Sequence, residues 1–154
     1  MKFYTSYFYH VRNLKPNMIP VSTAVWPPKW FTNKGHCFID KHSVLNGVEC
    51  SWLVPGLQCE NLCRGPEHCD TQNPRNCMFL HKYYEQVQAL DFNTLLTKLE
   101  EIGLQAKTLL NFQEEPIIVL MFYEKDTNPC SERVVIKRLF KEHGIELEEF
   151  REGV

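Results

Sequence analysis

Apolar and polar positions along the chain follow two periods and one unbroken run, and each predicts a different element. "KFYTSYF" (residues 2–8) is rich in aromatic and β-branched side chains and puts Phe3, Thr5 and Tyr7 on one face, so it predicts a strand. "MIPVSTAV" (18–25) predicts a second short strand. Pro16 and Asn17 lie in the turn before it, and Pro20 argues for an edge or a strand beginning. "MFLHKYYEQVQAL" (78–90) predicts a helix. The next segment carries Phe92, Leu95, Leu96, Leu99, Ile102 and Ala106 at helical spacing, with Asp91 or Asn93 placed to cap its start. "PIIVLMFY" (116–123) is continuously apolar, the pattern of a parallel strand covered on both faces. A helix follows from about Pro129, with Val134, Val135, Leu139 and Phe140 inward and Gly144 placed to end it. "IELEEF" (145–150) alternates as a last strand.

Strand, strand, irregular segment, helices, buried strand, helix and strand together predict an α/β fold. Its sheet is expected to be mainly parallel and flanked by helices in a Rossmann-like arrangement, with ligands beyond the carboxyl ends of the strands. One domain spanning 1–154 is expected. The exception to its regularity is an irregular cysteine-rich insert at about 32–78, which holds six of the seven cysteines together with Gly35, Gly47, Gly56, Gly65, Pro55, Pro66 and Pro74.

Charge and compartment narrow the function classes. A formal net charge of −2 excludes a global basic field of the kind that drives unspecific nucleic-acid binding. No apolar run approaches the ~20 residues that span a bilayer, so no membrane partner is expected. The start carries His10 and Arg12 where a signal peptide needs an apolar stretch. The expected compartment is therefore the reducing cytoplasm, where seven cysteines point to metal binding, thiol chemistry or burial rather than disulfides.

The turn after the buried strand carries the first candidate chemistry. Asn128 and Pro129 fit a helix cap with proline at the first helical position, which places Cys130 in the first turn. Amides there favour an anion and lower a thiol's pKa. Arg133 can present a forked donor to a carboxylate or phosphate, and Glu124 at the strand end can act as a base or orient that arginine. The plain alternative is a buried cysteine beside solvated Glu132 and Arg133.

The stretches "KFYTSYFYHVRNL", "MIPVSTAVWPPKWF" and "PIIVLMFYEKDTNPCSERVVIKRLFKEHGIELEEF" resemble the domain-of-unknown-function family numbered 488. Its members open with a "YTSYF"-type strand and a "PIS"-type strand leading into a Trp-Tyr or Trp-Phe pair, and later carry an apolar strand, a turn cysteine and a helix. The resemblance implies a compact Rossmann-like domain with the turn cysteine in its site. Members often read Cys-His-Arg where this chain reads Cys130-Ser131-Glu132-Arg133, so a Cys–His nucleophile pair does not carry over.

In the insert, Cys59, Cys63, Cys69 and Cys77 are candidate zinc ligands, with an iron–sulfur cluster as the alternative and His68 or Cys50 as substitutes. Four thiolates would leave the metal no open position, which makes its role structural. "AVWPPKWF" gathers Trp26, Trp30 and Phe31 around Lys29, able to stack a nucleobase; large rings more often cover the core instead. Thr5, Ser6, Ser22 and Thr23 add hydroxyls near the strand ends. The expected function is binding, with processing as an extension, of a nucleotide-like or other anionic small ligand. Cys130 and Glu124 are its catalytic candidates. Arg133, Ser131, Glu132, Tyr123, Thr5, Ser6, Ser22, Thr23, Trp26 and Trp30 are its binding candidates. A zinc-stabilised module for a protein, a nucleic acid or a sequestered small ligand is the alternative.

Overall fold

The computed structural model describes residues 1–31, 38–39, 45–46, 48–59, 62 and 74–151. In chain order it contains β1 (Lys2–Tyr7), a 3-10 turn (Phe8–Asn13), β2 (Met18–Ser22), the short strands β3 (Phe38–Ile39), β4 (Leu45–Asn46) and β5 (Val48–Glu49), helices α1 (Met78–Gln88) and α2 (Phe92–Leu110), β6 (Ile117–Phe122), α3 (Glu132–Glu142) and β7 (Glu148–Glu149). A five-stranded sheet runs in the order β5-β2-β6-β1-β7, with every pairing parallel, and β3 pairs antiparallel with β4 apart from it. This is the α/β, mainly parallel arrangement that the sequence predicts.

The continuous apolar run became the central strand. Register pairs Tyr4 and Pro20 with Val119 from opposite sides, and Ile118 through Phe122 are buried. Pro20 is tolerated because β5 joins β2 only from Val21 onward, so the proline sits where β2 has a strand on one side alone. Alternation divides the core. Phe3, Ile19, Val21, Ile118, Leu120 and Phe122 pack under the three α-helices. Met18, Val119 and Met121 face the other way, against Phe8, Val11, Phe31 and Phe150.

Helix α2 starts where expected, with the Asp91 carboxylate accepting the Thr94 N–H at 3.2 Å. It buries Phe92, Leu95, Leu99, Gly103 and Ala106. Helix α3 starts later than expected. Its N-cap is Ser131, whose hydroxyl accepts the Arg133 N–H at 3.1 Å, while Asn128 forms a separate turn by accepting the Cys130 N–H at 2.9 Å. Its inward face is Arg133, Val135, Ile136, Leu139 and Phe140, and Val134 is exposed rather than inward. Gly144 follows with φ +83, the left-handed conformation expected of a helix-ending glycine.

Candidate functional site

Because all five strands run the same way, their carboxyl ends meet at one edge, and the turn into α3 caps it. Alternation then sorts the predicted residues onto two sides of that edge. Thr5, Glu124, Glu132 and Arg133 fall on the helix side. Ser6, Ser22, Tyr123, Trp26 and Trp30 fall on the opposite side or above it. The single site drawn from the sequence is thus two adjacent surfaces.

On the helix side, Arg133 is buried and already engaged. Its Nε lies 2.9 Å from Glu149 Oε1, its Nη2 donates to the Ser6 carbonyl oxygen at 3.2 Å, and its guanidinium lies 5.1 Å from the centre of the Phe122 ring. The same Glu149 oxygen accepts the Thr5 hydroxyl at 2.7 Å and lies 3.8 Å from Lys137 Nζ. Glu149 is the residue that sequence reasoning missed. Its only signal was an acidic side chain at an inward position of the last strand. Thr5 and most of Arg133 therefore build the strand edge rather than reach a ligand.

Cys130 is half-buried and lies one residue before the cap, so it stands outside the first helical turn where the sequence placed it. The cap uses the amides that an anion would need there. Ser131 satisfies the Arg133 and Val134 amides, and the Glu132 carboxyl accepts its own backbone N–H. The protein's own acid occupies the position that an external anion would take.

Glu132 and Glu124 form the distinctive pair of this edge. Burial pushes the Glu132 carboxyl up to about 8, and the neighbouring Glu124 charge and its hydrogen bond to Glu132 push in the same direction, against the opposing pull of Arg133. At neutral pH the pair consequently holds a proton on Glu132. Three buried polar atoms at this edge have no protein partner: Glu124 Oε1, Arg133 Nη1 and Ser6 Oγ. Uncompensated burial of such groups costs about 1–3 kcal/mol each, which makes them the natural attachment points for a ligand.

Tyr83 and Cys59 lie on the helix side near Glu132, with Cys50 beside Tyr83, and all three are raised above their usual range because burial disfavours their anions. The Tyr83 hydroxyl donates to the Leu53 carbonyl oxygen, and the Cys59 thiol donates to Gln86 Oε1 at 3.7 Å. These are packed, unactivated groups. Of the candidate metal ligands, Cys63 and Cys69 lie outside the described residues, as does the substitute His68. Cys59 is buried and Cys77 half-buried. Among the described residues no three His, Cys, Asp or Glu side chains gather as a metal site.

On the other side, Ser22 is buried and accepts the Ala24 N–H at 3.1 Å, and Thr23 donates to the Met121 carbonyl oxygen at 2.9 Å. Both hydroxyls serve the turn out of β2. The aromatic stretch divides. Phe31 is core, as expected of large rings, whereas Trp26 and Trp30 are 81% and 44% exposed. The Tyr123 hydroxyl donates to the Trp26 carbonyl oxygen and ties the two segments together.

A scan against protein-family models, a search of curated proteins and a search of solved structures return no match to the chain. No described helix is long and apolar enough to cross a membrane.

Proposed function

We propose that the protein binds the polar edge of a nucleotide-like ligand, a heterocycle that carries adjacent hydrogen-bond acceptors and donors, at the carboxyl end of the sheet. The observation that carries this reading is the Glu124–Glu132 pair on the same side of the edge as the unpartnered Arg133 Nη1, with unpartnered Ser6 Oγ on the adjoining surface. Arg133 Nη1 offers a donor and Glu124 Oε1 an acceptor, while Ser6 Oγ on the adjoining surface can act as either. A lactam-like base edge complements such a mixed array. A bare phosphate does not, because it meets two carboxyl groups, and the positive charge of Arg133 is already held by Glu149. The anionic half of the sequence expectation thereby gives way to the base-like half. Resemblance to the domain-of-unknown-function family numbered 488 points to the same strand–turn–helix. A pair of carboxyl groups sharing a proton also suits proton transfer, and the half-buried Cys130 thiol would be the nucleophile in an enzymatic extension.

Isothermal titration of the full chain with free nucleobases, nucleosides, nucleoside monophosphates and inorganic phosphate tests the reading. Binding of at least one base-bearing compound is expected, with phosphate alone silent. Glu124→Gln should weaken that binding about tenfold or more, the size of one lost hydrogen bond to a charged group. Binding of phosphate as tight as that of the nucleotides, or affinity indifferent to Glu124→Gln, would overturn it. For the extension, the bound ligand should slow alkylation of Cys130.

A further inference from the structure

Helices α1 and α3 pack against each other, and a cavity of about 330 Å³ opens in the groove between them. That volume lies at the lower end of the range for small-molecule pockets, about 300–1,000 Å³. Side chains one turn apart on each helix build it. His81 and Tyr84 face it from α1, and Val134 and Arg138 from α3. Its floor is apolar. Leu80 and Val135 are buried beneath it, and Val134, an inward position in the sequence pattern, is 42% exposed and lines the cavity instead of the core.

The polar wall is cationic and held in place. The Arg138 guanidinium lies 3.9 Å from the centre of the Tyr84 ring. The Tyr84 hydroxyl donates to the two Glu142 oxygens at 2.7 and 2.8 Å. Glu142 stands beside Arg138 Nε at 3.8 Å, beyond hydrogen-bonding distance, and does not itself line the cavity. The ring below and the carboxylate at Nε thus orient the guanidinium plane. Its outer edge, Nη1 and Nη2, has no hydrogen-bond or ion-pair partner among the described residues. On the facing helix, His81 Nε2 donates to the Arg75 carbonyl oxygen at 2.6 Å, which sets the tautomer and leaves Nδ1 as the ring's second polar atom.

The lining says what class of molecule fits. It includes two arginines and a histidine and no acid. A forked cation above an apolar floor complements a hydrophobic body that carries one carboxylate. A phosphate would leave the floor uncovered, and a neutral hydrocarbon would leave the Arg138 fork unused. We propose that the α1–α3 cavity binds a small apolar carboxylate, an aryl or short alkyl acid, with its body over Leu80, Val134 and Val135 and its carboxylate on the Nη1–Nη2 edge of Arg138. The inference is independent of the Glu124–Glu132 site and stands if that site binds nothing.

Nitrogen-edited NMR titration of the full chain with phenylacetate and hexanoate reads the proposal residue by residue. Phenylethanol and hexanol are the uncharged counterparts, and inorganic phosphate is the charge without an apolar body. Expected with at least one of the acids are saturable amide shifts at Tyr84, Val134 and Arg138 at millimolar concentration or below. The matching alcohol should bind about fivefold more weakly or worse, and phosphate more weakly still. Arg138→Gln should weaken the acid about tenfold and leave the alcohol nearly unchanged. Val134→Glu sets a like charge in the cavity and should abolish binding of the acid. Both positions are exposed, so both variants are expected to fold, and circular dichroism checks that they do. Absence of saturable shifts at these amides with both acids overturns the proposal. An alcohol or phosphate that binds as tightly as the acid also overturns it, as does acid binding indifferent to Arg138→Gln or to a folded Val134→Glu.

Discussion

Glu132 behaves unlike an ordinary helix-start carboxylate, and the difference has a measurable sign. The folded chain holds its proton up to about pH 8, whereas an unfolded glutamate releases it near 4.3. Between those values the folded state binds more protons, so Glu132 destabilises the fold progressively as pH rises through that window, and the effect is level above about 8. Glu132→Gln keeps the hydrogen-bonding donor without the charge. It should match the parent near pH 4 and exceed it above pH 8, by on the order of 1–2 kcal/mol after allowing for solvent screening. Thermal melts at both pH values measure this, and a variant less stable than the parent at pH 9 contradicts the assignment. Residue types were readable from the sequence here, but their roles were not. Arg133 and Glu132 were both named as ligand groups. Only the structure reveals that Glu149, sixteen positions after Arg133 in the numbering, claims the guanidinium and leaves the two glutamates to face each other.

At the scale of elements, periodicity located the three α-helices and the strands β1, β2, β6 and β7 but not the short β3, β4 and β5, and local turn chemistry misplaced one boundary. The run at 116–123 appears as β6, and the stripe from Phe92 to Ala106 as the buried face of α2. The start of α3 was misread because Asn-Pro and Ser-Glu are both cap signals within five residues. Asn128 is spent on its own turn, which closes on the Cys130 amide, and Ser131 then caps the helix from a fully buried position. That shift moves Cys130 out of the helix and weakens the case for an activated thiol. It also yields a direct comparison. Ser131→Ala should cost about 1–2 kcal/mol in urea unfolding, the upper range for an N-cap, because its loss leaves the Arg133 amide buried without a partner. Asn128→Ala should cost clearly less. The reverse order would restore the cap to Asn128 and Cys130 to the first turn.

For the whole molecule, the unbroken apolar run identified a strand covered on both faces but could not identify its neighbours. Parallel partners are far apart in sequence, and nothing in residues 2–7 or 18–22 announces that both flank β6. Sheet order comes instead from how the layers close: one face of β1, β2 and β6 packs under the three helices, and the other under Phe8, Phe31 and Phe150. The result is uneven in strength. β6 is hydrogen-bonded along its length to β1 on one side and β2 on the other, while β5 and β7 each contribute two residues at the rims. Amides held by two long partners beneath buried side chains open only with global unfolding, whereas two-residue edges open by local fraying. Native-state hydrogen exchange should therefore find its slowest amides in Ile118–Phe122, exchanging at the global unfolding free energy. Those of β7 should exchange orders of magnitude faster, even though Arg133 anchors the Glu149 side chain. If β7 exchanged as slowly as β6, that ion pair would be tying the last strand into the cooperative core, and the candidate ligand edge would be rigid on the β1 side as well as at its centre.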